Sequence, residues 1–112
     1  FYMKNGLQKA FAEVKGVTLE ENGAVLFPDA PTKRGVKHIH GLCRATEDSY
    51  LAFLVFVIQM KNVRYLSQKR RTHPAFGTAM EDARKYGVTL LAFDCCASPD
   101  EIWLDQPINI VL

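Results

Sequence analysis

The sequence predicts an α/β fold, a mixed β-sheet flanked by helices in a single domain. Three observations carry this: buried-type apolar runs at 51–58 and 88–93, two stretches of helical periodicity between strands, and the resulting strand, helix, strand, helix, strand order. That order implies parallel strands joined by right-handed crossovers. At 112 residues and 48% hydrophobic, the chain can bury one core but not two.

Taken in order, Ala10 to Thr18 has strand character. Ala24-Val25-Leu26-Phe27 reads as its hairpin partner, with Glu21-Asn22-Gly23 as the turn. Pro28 and Pro31 then end the sheet locally. Thr32 is placed to cap a helix running to about Ala45, whose apolar positions Val36, Ile39, Leu42 and Cys43 recur at helical spacing. At about 100° per residue, Arg34, Lys37 and His38 fall on the opposite side, giving a core face and a basic face. Tyr50 to Ile58 is a continuous β-branched and aromatic run, read as a central strand covered on both faces, with Gln59 at its end.

A polar, basic connection from Lys61 to Arg71 follows, and Thr72 with Pro74 opens a second helix. Its core stripe is Phe76, Ala79, Met80 and Ala83, and Gly87 is its C-terminal cap. Val88 to Phe93 is another buried strand, broken by Ser98-Pro99-Asp100. Ile102-Trp103-Leu104 and Ile108 to Leu112 read as short peripheral strands.

Charge is unevenly distributed. Between Ala30 and Met80 lie nine basic residues and two acidic ones, so the middle carries +7 and the ends −5 of a net +2. Clustered Lys and Arg suit a polyanion, whose counterions they release, and equally suit a solvated face. The longest apolar run spans eight residues, against the roughly 20 of a membrane helix, so no membrane partner is expected. Phe1 and the residues after it carry no signal-peptide pattern, and the chain reads as a piece of something longer. Cys43, Cys95 and Cys96 are odd in number and two are adjacent, which suits neither a disulfide framework nor a zinc site. They are expected to be core thiols of a cytoplasmic protein.

Chemistry is expected first at Glu13-Val14-Lys15. Alternate strand residues point the same way, which sets a carboxylate beside an ammonium with Cα atoms about 6–7 Å apart. Such a pair can hold a divalent cation through the acid while the lysine orients water or neutralises a phosphate. It can equally be the cross-charged face of an edge strand. Gln59, at a strand end, is a candidate to reach the same site or simply marks the exit to solvent. Tyr65 beside Arg64 can stack a base or pack under a loop. His38 and His40 point about 200° apart on a helix and cannot share one ion, so no zinc site is expected.

The stretch from Glu13-Val14-Lys15-Gly16-Val17-Thr18-Leu19 to Phe27-Pro28-Asp29-Ala30-Pro31-Thr32-Lys33-Arg34-Gly35-Val36-Lys37-His38 resembles the signature of the sugar fermentation stimulation family. Phe53 to Gln59, His73-Pro74-Ala75-Phe76-Gly77, Gly87 to Ala92 and Ser98 to Ile102 follow it in order, so the likeness covers about residues 11–112.

This resemblance implies a DNA-binding protein linked to regulation of sugar (maltose) utilisation. It further implies an N-terminal OB-like domain, absent here, and a C-terminal restriction-endonuclease-like (PD-(D/E)xK) domain occupying residues 1–112, truncated at its N-terminus. On that reading Glu13, Lys15 and Gln59 are the catalytic candidates, Glu13 is the ligand for Mg²⁺, and Arg34, Lys37 and His38 contact DNA.

Three departures qualify the likeness. No Asp or Glu precedes Glu13, although the superfamily pairs this strand with an upstream aspartate. Ile39-His40-Gly41-Leu42-Cys43 replaces a Glu-Leu-rich continuation, and Lys69-Arg70-Arg71-Thr72-His73 is more basic than the family pattern. The expectation is therefore a DNA-binding module. The alternative is a Mg²⁺-dependent phosphodiesterase, weak or inactive in this fragment; an interaction domain within a larger protein and a homo-oligomer both stay open.

Overall fold

The computed structural model describes residues 2–6, 8–17, 20–21, 23–27, 33–68 and 74–112. In chain order these form β1 (Tyr2–Asn5), β2 (Gln8–Val17), β3 (Glu20–Glu21), β4 (Ala24–Phe27), α1 (Lys33–Glu47), β5 (Leu51–Ile58), β6 (Tyr65–Gln68), α2 (Pro74–Lys85), β7 (Thr89–Ala97), β8 (Ile102–Pro107) and β9 (Asn109–Val111). One sheet has the order β1-β2-β5-β7-β8; its three central strands are parallel and both edge strands antiparallel. A second sheet, β3-β4-β6-β9, stands beside it.

The hairpin expected between β2 and β4 does not form. β2 lies parallel to β5 along one edge and antiparallel to β1 along the other, so both its edges are taken. β4 pairs instead with β3 and β6. Gly23 still makes the turn, at φ +83°, but within the β3/β4 hairpin of the second sheet. A Cβ there would come within 2.8 Å of the Arg64 side chain, whose backbone N–H donates to the Gly23 carbonyl at 2.8 Å. The connection read as 61–71 also contains β6, a short strand that buries Leu66 completely.

β5 alternates. Ala52, Leu54, Phe56 and Ile58 are buried, whereas Phe53, Val55 and Val57 are only half-buried. The expectation of a strand covered on both faces therefore holds for one face. Against that face pack Ile39, Leu42 and Cys43 of α1 and Phe76, Ala79, Met80 and Ala83 of α2, all in one core cluster. The predicted stripe of α2 is thus the buried stripe. α2 ends in a Schellman motif: Gly87, at φ +91°, donates to the Arg84 carbonyl, and Val88 donates to that of Ala83. α1 runs past Ala45 to Glu47, and the Thr46 hydroxyl donates to the Cys43 carbonyl at 2.6 Å. The cap expected at Thr32, the helix start at Thr72, Pro28, Asp29, Pro31 and the basic run Lys69 to His73 lie outside the described residues.

Cys43 and Cys95 are buried, and burial raises both thiols above the ordinary range. Cys96 departs from the expected core role, since it is half-buried and donates to Asp105 at 3.2 Å. Asp105 belongs to a clamp between β7 and β8, where the pairing shifts register between Phe93 and Cys95. The Lys61 ammonium donates to Asp105 and, at 3.0 Å, to buried Asp94, which also accepts the Gln106 N–H at 2.8 Å.

The hydrogen bond from Lys61 holds the Asp105 carboxyl below its ordinary value of 3.8, and the same bond raises Lys61. A lowered carboxyl contributes stability above its unfolded value and loses it as pH falls through the folded one. Acid unfolding should therefore begin at higher pH in Lys61→Met than in the wild type, with the two converging in strong acid; circular dichroism across pH 2 to 6 reads this.

Candidate functional site

Register places the site. Parallel pairing sets Glu13 opposite Leu54 and Lys15 opposite Phe56, so both acid and lysine project from the face of the sheet that α1 covers. There they meet His38. Glu13 Oε1 lies 3.3 Å from Lys15 Nζ and 3.1 Å from His38 Nδ1, and Lys15 Nζ is 3.2 Å from the same ring nitrogen. Arg34 Nε approaches His38 Nε2 at 3.4 Å from the preceding turn. Nδ1 thus faces both the Glu13 carboxylate and the Lys15 ammonium, while Nε2 faces the Arg34 guanidinium. His38 thereby couples the charged strand to the basic helix.

Beyond Glu13 a cleft of about 640 Å³ opens between β2 and α1. Phe11 and Tyr50 line one side, Lys37, Gly41 and Arg44 the other, and Asp48 stands among its lining residues. Its lining pairs the cations Lys37 and Arg44 with the carboxylates Glu13 and Asp48, and Lys15 and Arg34 stand next to it around His38. Arg34, Lys37 and Arg44 are exposed, whereas Glu13, Lys15 and His38 are half-buried.

Gly41, the mid-helix glycine, has nothing within 4 Å of where a Cβ would stand. Gly41→Ala should accordingly stabilise the domain by about 1 kcal/mol, through helix propensity alone, in a denaturant melt.

The sequence-predicted residues separate into two groups. Glu13, Lys15, Arg34 and His38 form one connected cluster, with Lys37 on the adjoining cleft wall. Gln59 is not brought to it. Its Nε2 lies 3.7 Å from a Cβ position on Gly16, which alternation sets on the face of β2 opposite to Glu13 and Lys15. Tyr65 opens β6 in the second sheet, between Ala24 and Asn109. Phe11, Gly41, Arg44 and Tyr50 were not anticipated. The available signal was spacing: Phe11 is two residues before Glu13, and Gly41 and Ala45 follow His38 at helical intervals.

Among the described residues, no group of three His, Cys, Asp or Glu could hold a metal. Mg²⁺ favours near-octahedral oxygen coordination, with carboxylates supplemented by water and phosphate. Glu13, already engaged by Lys15 and His38, does not fit a resident Mg²⁺ by itself.

An acid and a lysine on one strand, an antiparallel partner before it and a helical crossover to a parallel strand after it define a restriction-endonuclease-like core of the PD-(D/E)xK kind. The family model described as "Sugar fermentation stimulation protein RE domain" matches residues 1–101. The chain belongs to the sugar fermentation stimulation protein family.

It is 53% identical over 102 residues to the sugar fermentation stimulation protein homolog of Desulfitobacterium hafniense strain Y51, covering 91% of this chain and 45% of that protein. It is 46% identical over 112 residues to the homolog of Ruminiclostridium cellulolyticum, covering 100% of this chain and 50% of that one. The chain thus spans about half the length of the curated relatives it matches. Among solved structures, Pyrococcus furiosus SfsA in complex with Ca²⁺ superposes with a TM-score of 0.89 at 23% identity, over 99% of this chain and 48% of that one. No helix among the described residues is long and apolar enough to cross a membrane.

Proposed function

We propose that this domain binds DNA along the β2/α1 cleft, gripping the phosphodiester backbone with Arg34, Lys37 and Lys15. The observation that supports this reading is that Lys37 and Arg44 line the open cleft while Lys15 and Arg34 meet at His38 on its margin, in a restriction-endonuclease-like fold. Guanidinium and ammonium groups on a rigid helix and strand hold phosphate oxygens through charge-assisted hydrogen bonds. His38 supports them by holding Arg34 and by sharing the Glu13 carboxylate with Lys15. Any effect on sugar utilisation follows from that binding in the cytoplasm.

The test is the salt dependence of DNA affinity in the full-length protein. A plot of log affinity against log salt should be steep and linear, with a slope of roughly −0.9 for each phosphate neutralised; binding indifferent to salt would remove the proposal.

A second reading, a metal-dependent phosphodiesterase, is favoured by one observation: Glu13 and Lys15 share a face at 3.3 Å beside the same cleft. It requires donors for the metal beyond the described residues.

A further inference from the structure

The cleft is asymmetric along its length. Its Glu13 end carries Lys37 and His38 and adjoins Lys15 and Arg34; its other end is aromatic. Phe11 and Tyr50 stand 5.0 Å apart between ring centroids, and Tyr2 joins Phe11 at 5.1 Å. Lys9 Nζ lies 5.7 Å from the Tyr50 centroid. Opposite the rings, Gly41 leaves the helix wall open. A backbone grip alone needs only the cationic end.

We propose that the aromatic end is a nucleobase pocket, taking one unstacked base of a DNA strand whose phosphate lies against Lys15, Arg34 and Lys37. The inference rests on the DNA-binding reading above and adds the form of DNA recognised. Phe11 lies two residues before Glu13 on the same face, so their Cα atoms stand about 6–7 Å apart, which sets the rings next to the charged cluster. The volume, about 640 Å³, lies within the range of sites that enclose small ligands. A π-face stacks on any base, and every base in a duplex is already stacked and paired, so the pocket selects single-stranded or flipped nucleotides. Asp48 offers acceptors to an exocyclic amine, and Arg44 and Lys9 offset the carboxylate charge for the flanking backbone.

The test uses full-length protein and two fluorescent probes: a short single-stranded oligodeoxynucleotide and a backbone of equal length made entirely of abasic residues. The wild type should prefer the base-bearing strand by about tenfold, the scale of one base stacking on an aromatic ring. Tyr50→Ala, which removes the ring, and Gly41→Leu, which fills the space opposite it, should each bring the two affinities together, lowering that for the base-bearing strand more than that for the abasic one.

Equal affinities in the wild type, or a preference surviving both variants, overturns the pocket. If Arg34→Ala with Lys37→Ala leaves affinity for both probes intact, the DNA-binding reading falls and the pocket falls with it. If that double variant weakens both probes but the wild type shows no base preference, the pocket alone falls.

Discussion

Arg34→Ala combined with Lys37→Ala should weaken DNA binding by roughly 10- to 100-fold and flatten its salt dependence by about two contacts' worth of slope. The magnitude follows from position. Both side chains are exposed on α1, one turn apart, with Lys37 in the cleft wall. Each can approach phosphate without first giving up a buried partner. Arg34 does hold His38 Nε2 at 3.4 Å, so its loss also frees the imidazole to turn from Glu13. The loss should be uniform across sequences, because phosphate contacts position a duplex or strand without reading bases. Anisotropy titrations at several salt concentrations, on two unrelated sequences, measure both quantities. Equal slopes in wild type and variant would remove the cleft as the binding surface even if affinity fell.

Local pattern and long-range pairing were legible to different degrees. α2 could be read almost completely, since its stripe Phe76, Ala79, Met80, Ala83 and its cap Gly87 are encoded within a few residues of one another. β5 and β7 could be read from their apolar runs. The partner of β2 could not, because pairing choice depends on which edges remain free after α1 has returned the chain beside it. Gly23 correctly signalled a turn, yet a turn does not say which strand leads into it, and two-residue β3 carries too little pattern to compete with ten-residue β2. β6 was hidden for a different reason: a four-residue strand in a polar stretch buries Leu66 and little else that periodicity could detect.

Half of the site lay open in the sequence. The period of two aligned Glu13 with Lys15, and the helical angle grouped Arg34 with His38. What no local rule supplied was the contact between these sets, since His38 lies 23 residues beyond Lys15. Placing His38 on a purely external basic face missed that it sits at the seam, half-buried, with one nitrogen toward the strand and the other toward Arg34. Of the two readings of Gln59, the exit to solvent is the one its exposed position fits, and the pleat explains why. Ile58 faces the helices, so the residue after it leaves on the other side, beside Gly16.

Glu13→Gln separates binding from chemistry, because the two readings give it opposite signs. In a binding cleft Glu13 is the carboxylate nearest the DNA phosphate, and it repels. At about 6 Å and an effective dielectric between that of the protein surface and that of water, removing the charge should raise metal-free affinity by roughly three- to tenfold. The glutamine keeps an oxygen of the same size and reach beside His38 and Lys15, so the cluster retains its contacts.

In a metal-dependent phosphodiesterase the same carboxylate is indispensable. Mg²⁺ would then raise wild-type affinity or support strand cleavage, and Glu13→Gln would lower cleavage by about 10²-fold or more. Full-length wild type and variant, each titrated with DNA in EDTA and in Mg²⁺ and followed for nicking, yield both signs in one experiment. Tighter binding of the variant in EDTA with no nicking by either protein assigns Glu13 to tuning the charge of a binding cleft. Nicking by the wild type that vanishes in the variant assigns it to catalysis, with Lys15 beside it as the group that meets the phosphate.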